Sequence, residues 1–419
     1  MELFPIVERR NKLNDNLWYV VSPSSNVQVK GGVGAKLVSR DSDVYVTCGA
    51  QPDQSFGSVY HLSLDTFRLT KMQEELHPRY EHAAALHNSQ IFVFGGADTS
   101  GNRNDLQKLD LVCKKVIEDS GGEPPSPRTI HNVGFHEGRL LVWGGGDAGS
   151  APVEDTALHS LCLETGKWSR FESVGDIPCS RHGHVVCCVE DKLYVHAGMT
   201  GPNILDDLHY TEISDLKSDC AWTKQSTSGR QPVARAAHSS APHNQHFYIF
   251  GGFTGQQALD DLWRFDTDGG KWSEVIVQEP RPPPRLDLTI CTSRLPVSNQ
   301  AGSPSVRLNN LYNYIIVFRI YQQGFGLIQK VRTSIVIKVS AARAEAEGGP
   351  KEEEEEEAQA PPRVHDITSL LHESAENNDQ SIPDTLPELP VSEYQDVLVL
   401  FGGMDLLGNI FNDIYTIKL

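Results

Sequence analysis

The sequence predicts an all-β fold made of one repeated unit, and three observations carry that prediction. First, a run of β-branched and aromatic residues ending in two small residues recurs along the chain. The copies close on Cys48-Gly49, Gly95-Gly96, Gly144-Gly145, Ala197-Gly198, Gly251-Gly252 and Gly402-Gly403. Second, the first five copies end at 49, 96, 145, 198 and 252, giving spacings of 47, 49, 53 and 54. A fixed period of this size marks an array of supersecondary units that cannot bury their apolar faces alone. Third, other residues keep step with the run. Ahead of it stand Pro78-Arg79, Pro127-Arg128, Pro178 with Arg181, Pro232 with Arg235, and Pro284-Arg285. After it come Asn104-Asp105-Leu106, Asp206-Asp207-Leu208, Asp260-Asp261-Leu262 and Asn412-Asp413-Ile414.

Each element of the unit has a physical reading. A continuous run such as Ile91-Phe92-Val93-Phe94 suits a strand buried on both faces. The glycine pair allows a sharp turn, because glycine adopts positive φ at little cost. The Asp at the next strand start is expected to cap the preceding turn through its side-chain oxygen. A bulky residue closes the unit: Phe67, Val116, Trp168, Trp222 and Trp272. A tryptophan there can fill the wedge between neighbouring sheets, burying roughly 150–250 Å². These parts add up to a four-stranded antiparallel blade.

The sixth copy ends at Leu419, before any closing aromatic, while Leu17-Trp18-Tyr19-Val20 stands near the N-terminus with no glycine pair ahead of it. Residues 17–21 are therefore expected to be the outer strand of the blade otherwise built by residues 284–419. That pairing would close a six-bladed β-propeller and leave few exposed sheet edges. The expected organisation is residues 1–292 as the closing strand, five blades and the start of the sixth, residues 293–393 as a long insert, and residues 394–419 as the remainder of the sixth blade.

The units resemble Kelch repeats, over most of residues 15–292 and 394–419. Pro78-Arg79-Tyr80-Glu81-His82, the stretch from Val93-Phe94-Gly95-Gly96 to Arg103-Asn104, and Ser180-Arg181-His182-Gly183-His184 are more specific than the general repeat. They are similar to Kelch-repeat effectors of Rab GTPases, as is an acidic insert before a final Phe401-Gly402-Gly403-Met404. The resemblance implies binding to a late-endosomal Rab GTPase in its GTP form and a role in endosome-to-trans-Golgi vesicle transport. It also implies a cytoplasmic protein, peripheral on late-endosomal and trans-Golgi membranes, with a phosphoinositide kinase on endosomes as a further partner. The resemblance supplies no short Rab-contact motif to transfer.

Composition narrows the alternatives. The 419 residues are 39% hydrophobic with a mean hydropathy of −0.36, enough for a core. No apolar run approaches the ~20 residues of a bilayer span. The first ten residues contain Glu2 and Glu8 and lack an apolar signal core. Eight scattered cysteines without a C-x-x-C pair are expected to be reduced. A net charge of −18 argues against a nucleic-acid partner, since phosphate affinity comes from clustered Lys and Arg. Membrane association is expected to be indirect, as no lipidation motif is present.

Residues 342–393 carry 15 Asp/Glu against 3 Lys/Arg, and six consecutive glutamates at 352–357 are followed by Pro361-Pro362. Such a stretch buries too little apolar area to offset chain entropy, and disorder is expected. A short helix over 366–376 would place Ile367, Leu370 and Leu371 on one face. Residues 305–340 hold 5 Lys/Arg and no acid, with β-prone runs at 314–318 and 334–337. Three readings stand: an extra hairpin on the propeller, a basic interaction segment, or translated intron sequence, the last favoured by its break with the surrounding pattern.

The candidate contact residues fall in two sets. Arg79, Arg128, Arg181, Arg235 and Arg285 could form a ring of guanidinium groups for carboxylates or phosphates. Their recurrence in nearly every repeat favours a scaffold role instead, bonding carbonyls or carboxylates of their own or the next blade. Tyr80, Glu81, Arg103, Asp147 and, again, Arg181 lie in or beside non-repeating loops, where specificity usually resides. His82, His131, His184 and His238 stand one per blade, too dispersed for a metal site. Cys187 and Cys188 should face opposite ways. No G-x-S-x-G, P-loop or H-E-x-x-H motif occurs, so no catalytic residue, metal or cofactor is assigned. The expected function is a non-catalytic interaction scaffold. The rivals are a substrate receptor or adaptor in another assembly, such as a ubiquitin ligase, and a propeller enzyme acting on a small molecule.

Overall fold

The structure is a computed structural model. It describes residues 3–297, 314–319, 334–339 and 393–419, except 8–11, 26, 31, 114, 120–121, 131, 148–150, 215 and 217–218. The chain divides into two units, one of residues 1–339 with 391–419 and one of residues 340–390. The second lies outside the described residues, as do the expected helix over 366–376, the acidic run and His131.

Among the described residues every regular element is a strand. Successive strands pair in antiparallel sets of four, as the repeat requires. The first set is Lys36–Arg40, Asp43–Thr47, Val59–Ser63 and Arg68–Lys71; the second is Ala83–His87, Gln90–Phe94, Leu106–Asp110 and Lys115–Asp119. The third is Gly134–His136, Arg139–Val142, Leu158–Cys162 and Lys167–Gly175; the fourth is Val185–Val189, Lys192–Thr200, Asn203–Glu212 and Asp219–Lys224. These two join through a parallel pairing of their outer strands, Glu172 opposite Asp219 to Gly175 opposite Trp222. The fifth set is Ser239–His243, His246–Phe250, Leu262–Asp266 and Lys271–Glu274.

The sixth set takes strands from both ends of the chain. Leu286–Val297, Glu393–Met404 and Ile414–Lys418 are completed by Tyr19–Val20, with Tyr19 opposite Thr416 and Val20 opposite Tyr415. The outer strand is thus supplied by the N-terminal segment, where the sequence pattern put it. The first two strands run twelve residues each and stay paired out to Val297 and Glu393. The hairpin therefore continues past position 293, the expected start of the insert. Beyond it, Tyr314–Arg319 pairs with Ser334–Val339 and with Leu3–Pro5 in a three-stranded sheet. Of the three readings of this basic stretch, the backbone pairing is that of the added hairpin.

Apolar clusters join each set to the next. Val38, Tyr45 and Val59 of the first pack with Ile91, Val93 and Leu109 of the second. Phe92, Phe94 and Leu106 meet Leu140, Val142 and Leu161 of the third. Leu141, Trp143 and Leu158 meet Val186, Leu193 and Trp222 of the fourth. Tyr194 and Leu208 meet Phe247, Phe265 and Trp272 of the fifth. Tyr248 and Phe250 meet Ile290, Leu398 and Trp18 of the sixth. Val399, Phe401 and Ile414 then meet Leu37, Val44 and Leu62 of the first, returning the sequence of contacts to its start. The late aromatics sit at these seams: Trp168 lies 4.6 Å from Phe94, Trp222 5.4 Å from Trp143, Trp272 5.0 Å from His196 and Trp18 5.5 Å from Phe250. Cys187 and Cys188 fall in different seams, facing opposite ways as expected.

Candidate functional site

The five repeat arginines are completely buried, and each does the same work in its own sheet. Nε donates to the carbonyl two residues earlier, as in Arg181 to Cys179 O at 3.0 Å. Nη1 donates to the first of the small pair, as in Arg181 to Ala197 O at 3.0 Å and Arg235 to Gly251 O at 3.1 Å. The outer edge of the guanidinium holds an aspartate: Asp105, Asp261 and Asp413 stand immediately before the third strand of their sets, Asp155 in the loop before it, and Asp207 within it. Arg79 takes both oxygens of Asp105 at 3.1 and 2.7 Å, Arg181 those of Asp207 at 2.5 and 2.9 Å, and Arg235 those of Asp261 at 2.7 and 2.8 Å. Arg128 reaches Asp155 through Nη2 alone at 3.2 Å, and Arg285 reaches Asp413 through Nη1 at 2.9 Å while stacking on Phe411.

This geometry corrects two expectations. The arginines present no guanidinium to an outside ligand, because each is fully buried and turned to acceptors within its own set. The aspartates do not mainly cap turns; they neutralise these arginines. Burial pulls Asp105, Asp207 and Asp261 upward, but side-chain hydrogen bonds and the neighbouring arginines outweigh it and hold all three, and Asp155, below the usual carboxylate range, with His159 contributing most at Asp155 and His209 leading the lowering at Asp207. The pairing was legible as a constant interval: 79 to 105, 181 to 207 and 235 to 261 are each 26 residues.

The histidines join neighbouring sheets. His82 Nε2 meets Thr47 Oγ1 at 2.9 Å, His184 Nε2 donates to Trp143 O at 3.0 Å, and His238 Nε2 meets His196 Nδ1 at 3.1 Å. Each bond reaches back into the preceding set. Burial depresses His82 well below the ordinary imidazole value and takes His184 and His196 down to about 3, so all three are neutral at pH 7. Among the described residues, no group of three His, Cys, Asp or Glu converges for a metal.

The backbone one step further on is linked in the same direction. Glu81 N donates to Gly34 O at 2.8 Å, Ile130 N to Glu81 O at 2.6 Å, Ala237 N to Gly183 O at 2.7 Å, Asp287 N to Ala237 O at 3.0 Å and Gly34 N to Asp287 O at 3.2 Å. Glu81 thus has a structural duty at φ +48°, a left-handed conformation unusual for a side chain of its size. Its carboxylate adds to burial in raising the Asp287 pKa, while Lys36, itself lowered to about 8 by burial, acts the other way.

Tyr80 and Asp147 do come together. They line a groove of about 830 Å³ with Asp98, Asn102, Ser126, Pro127, Glu154 and Asp155. Its walls are the loops that follow the glycine pairs of the second and third sets, together with Tyr80 and Ser126-Pro127 in the segments that lead into those sets. Asp98 accepts from Ser100 N at 2.7 Å and from Arg103 Nη1 at 2.9 Å, and Arg103 Nε donates to Asp105 at 2.9 Å. Arg103 therefore supports the groove rather than lining it, and Arg128 supports it from behind through Ser126 Oγ at 2.8 Å. Asn102 Nδ2 donates to Gly146 O at 3.2 Å and ties the two loops together. Arg181, Arg235 and Arg285 belong to other sheets and contribute nothing here. Asn102, Ser126 and Glu154 carried no sequence signal beyond lying in loops that break the repeat.

The KLHDC2/KLHL20/DRC7 Kelch-repeats domain matches residues 10–155 and 130–323. The chain belongs to the Kelch-repeat family. It is 36% identical over 318 residues to the Rab9 effector protein with kelch motifs of Rattus norvegicus, covering 72% of this chain and 84% of that one. It is 38% identical over 220 residues to the Mus musculus protein of the same name, covering 50% of this chain and 58% of that one. It is also 32% identical over 193 residues to the tip elongation aberrant protein 1 of Schizosaccharomyces pombe, covering 44% of this chain and 17% of that one. No helix among the described residues is long and apolar enough to cross a membrane.

Proposed function

We propose that this Kelch chain is a non-catalytic scaffold that binds a Rab GTPase in its GTP form and serves endosome-to-trans-Golgi transport. The observation that carries the reading is the 36% identity spanning 84% of a Rab9 effector. The architecture we propose is a six-bladed propeller closed by residues 17–21, supported by the seams that run from each four-stranded set to the next and back to the first. In this reading the protein is cytoplasmic and reaches late-endosomal membranes through the lipid-anchored Rab, and a phosphoinositide kinase there is a further partner. The switch loops that the γ-phosphate orders would be the surface discriminated. Contact falls to the loops around Tyr80 and Asp147, with Arg103 positioning them, because the repeat arginines are occupied internally.

The test is binding of the purified chain to a panel of Rab GTPases, each loaded with a GTP analogue or GDP. Selective capture of a late-endosomal Rab in the GTP state is expected. Failure to bind any Rab in a nucleotide-dependent way would remove the effector reading and leave the scaffold without a partner.

A further inference from the structure

The residue two positions before each repeat arginine changes from set to set. It is His77, Ser126, Cys179, Val233 or Pro283, and in every case its carbonyl accepts from the arginine Nε. At Cys179 the thiol joins in, Sγ accepting from Arg181 Nη2 at 3.3 Å, and at Ser126 the hydroxyl does so at a shorter distance, Oγ accepting from Arg128 Nη2 at 2.8 Å. In this third set the arginine's hold on its aspartate is also the longest, a single 3.2 Å contact to Asp155. Ser126 Oγ thus supplies an acceptor that the carboxylate leaves unfilled. Because the oxygen accepts, its own proton remains available.

The setting of Ser126 is that of a substrate segment. The residue is exposed, in a stretch without strand pairing, and Pro124-Pro125-Ser126-Pro127 surrounds it with prolines. A following proline holds the serine in an extended conformation, the form in which a kinase cleft takes its peptide. The hydroxyl also lines the groove beside Asp147, Glu154 and Asp155.

We propose that Ser126 is a phosphorylation site for a proline-directed protein kinase, and that Arg128 holds the phosphate. In the transfer, Ser126 Oγ attacks the γ-phosphorus of ATP, the bond from that phosphorus to the β–γ bridging oxygen breaks, ADP leaves, and the hydroxyl proton passes to the kinase base. The product carries about −1.5 to −2 charge at pH 7. Its oxygens compete with Asp155 for Arg128 Nη2, and the groove becomes more negative. The modification therefore alters the surface that the loops of the second and third sets present. This inference does not depend on a Rab being the partner.

The experiment treats the folded full-length chain with a proline-directed kinase and magnesium ATP, and locates phosphate by mass spectrometry of the digest. The heat-unfolded chain and S126A are treated in parallel. Label at Ser126 of the folded protein, absent from S126A, is expected. Label at Ser126 only after unfolding, or in neither state, overturns the site. Docking on Arg128 is read by dephosphorylation with a broad phosphatase. The folded phosphoprotein should lose Ser126 phosphate about tenfold more slowly than the unfolded one, the worth of one charge-assisted hydrogen bond. Equal rates would overturn the role of Arg128.

Discussion

Arg181 shows what the repeat residues are for. Its guanidinium is buried, donates to Cys179 O, Cys179 Sγ and Ala197 O, and is neutralised by Asp207. Removing one member of such a pair strands the other charge, at a cost of about 3–5 kcal/mol. Arg181→Met should therefore lower the urea midpoint steeply, whereas Arg230→Met, on a residue 78% exposed and paired with Glu274, should cost about 1 kcal/mol or less. Equal midpoints for the two variants would refute the scaffold assignment. The sequence announced these arginines by recurrence, and recurrence was the clue that they fold the chain rather than read a partner. Three of their partners were legible too, as an aspartate 26 residues on, but turn-capping chemistry offered a competing local reading that the burial of the guanidinium defeats.

At the scale of the element, the strand-end glycines and the histidines set the seams. Gly96 has φ +85°, and a Cβ there would stand 2.6 Å from Tyr80 O. Gly96→Ala should cost at least ~1–3 kcal/mol from conformation alone, measurable by chemical denaturation. A second prediction follows from the neutral histidines. His184 and His196 have folded values near 3 against an ordinary 6.5. Their depressed values mean that only the unfolded chain takes up protons between those limits. Their contribution is complete above about pH 6.5 and falls as pH drops towards 3, by up to about 1.4 kcal/mol per pH unit for each group. The melting temperature should decline below pH 6.5, and His184→Gln should flatten that decline. A pH-independent melting temperature from 7 to 5 would contradict the neutral, buried assignment. The strand runs and late tryptophans were plain in the sequence because burial on both faces demands continuous apolar residues. The extended sixth hairpin was not, since Leu295, Val297 and Tyr394 sit among polar neighbours without a glycine pair to mark them.

For the whole molecule, closure and recognition separate. Trp18 is fully buried against Phe250, so the segment that carries it fastens the sixth set to the fifth. Trp18→Ala should cost about 3–5 kcal/mol and lower the midpoint of the entire cooperative transition. Loss of only a small, separate transition would mean that the N-terminal strand does not close the ring. The outer strand of the sixth set was legible because Leu17-Trp18-Tyr19-Val20 carries an outer-strand aromatic with no glycine pair ahead of it. The groove was not, because its walls come from loops whose residues do not recur, and only folding brings Tyr80 beside Asp147. The most direct test of this division is the affinity of GTP-analogue-loaded and GDP-loaded Rab9 for the wild-type chain and for a Tyr80→Ala/Asp147→Lys variant, read by calorimetry beside each melting temperature. The account predicts binding at least about tenfold tighter for the GTP form, and its loss in the variant at an unchanged melting temperature. Equal affinity for both nucleotide states, or a variant that binds as well as the wild type, would contradict it.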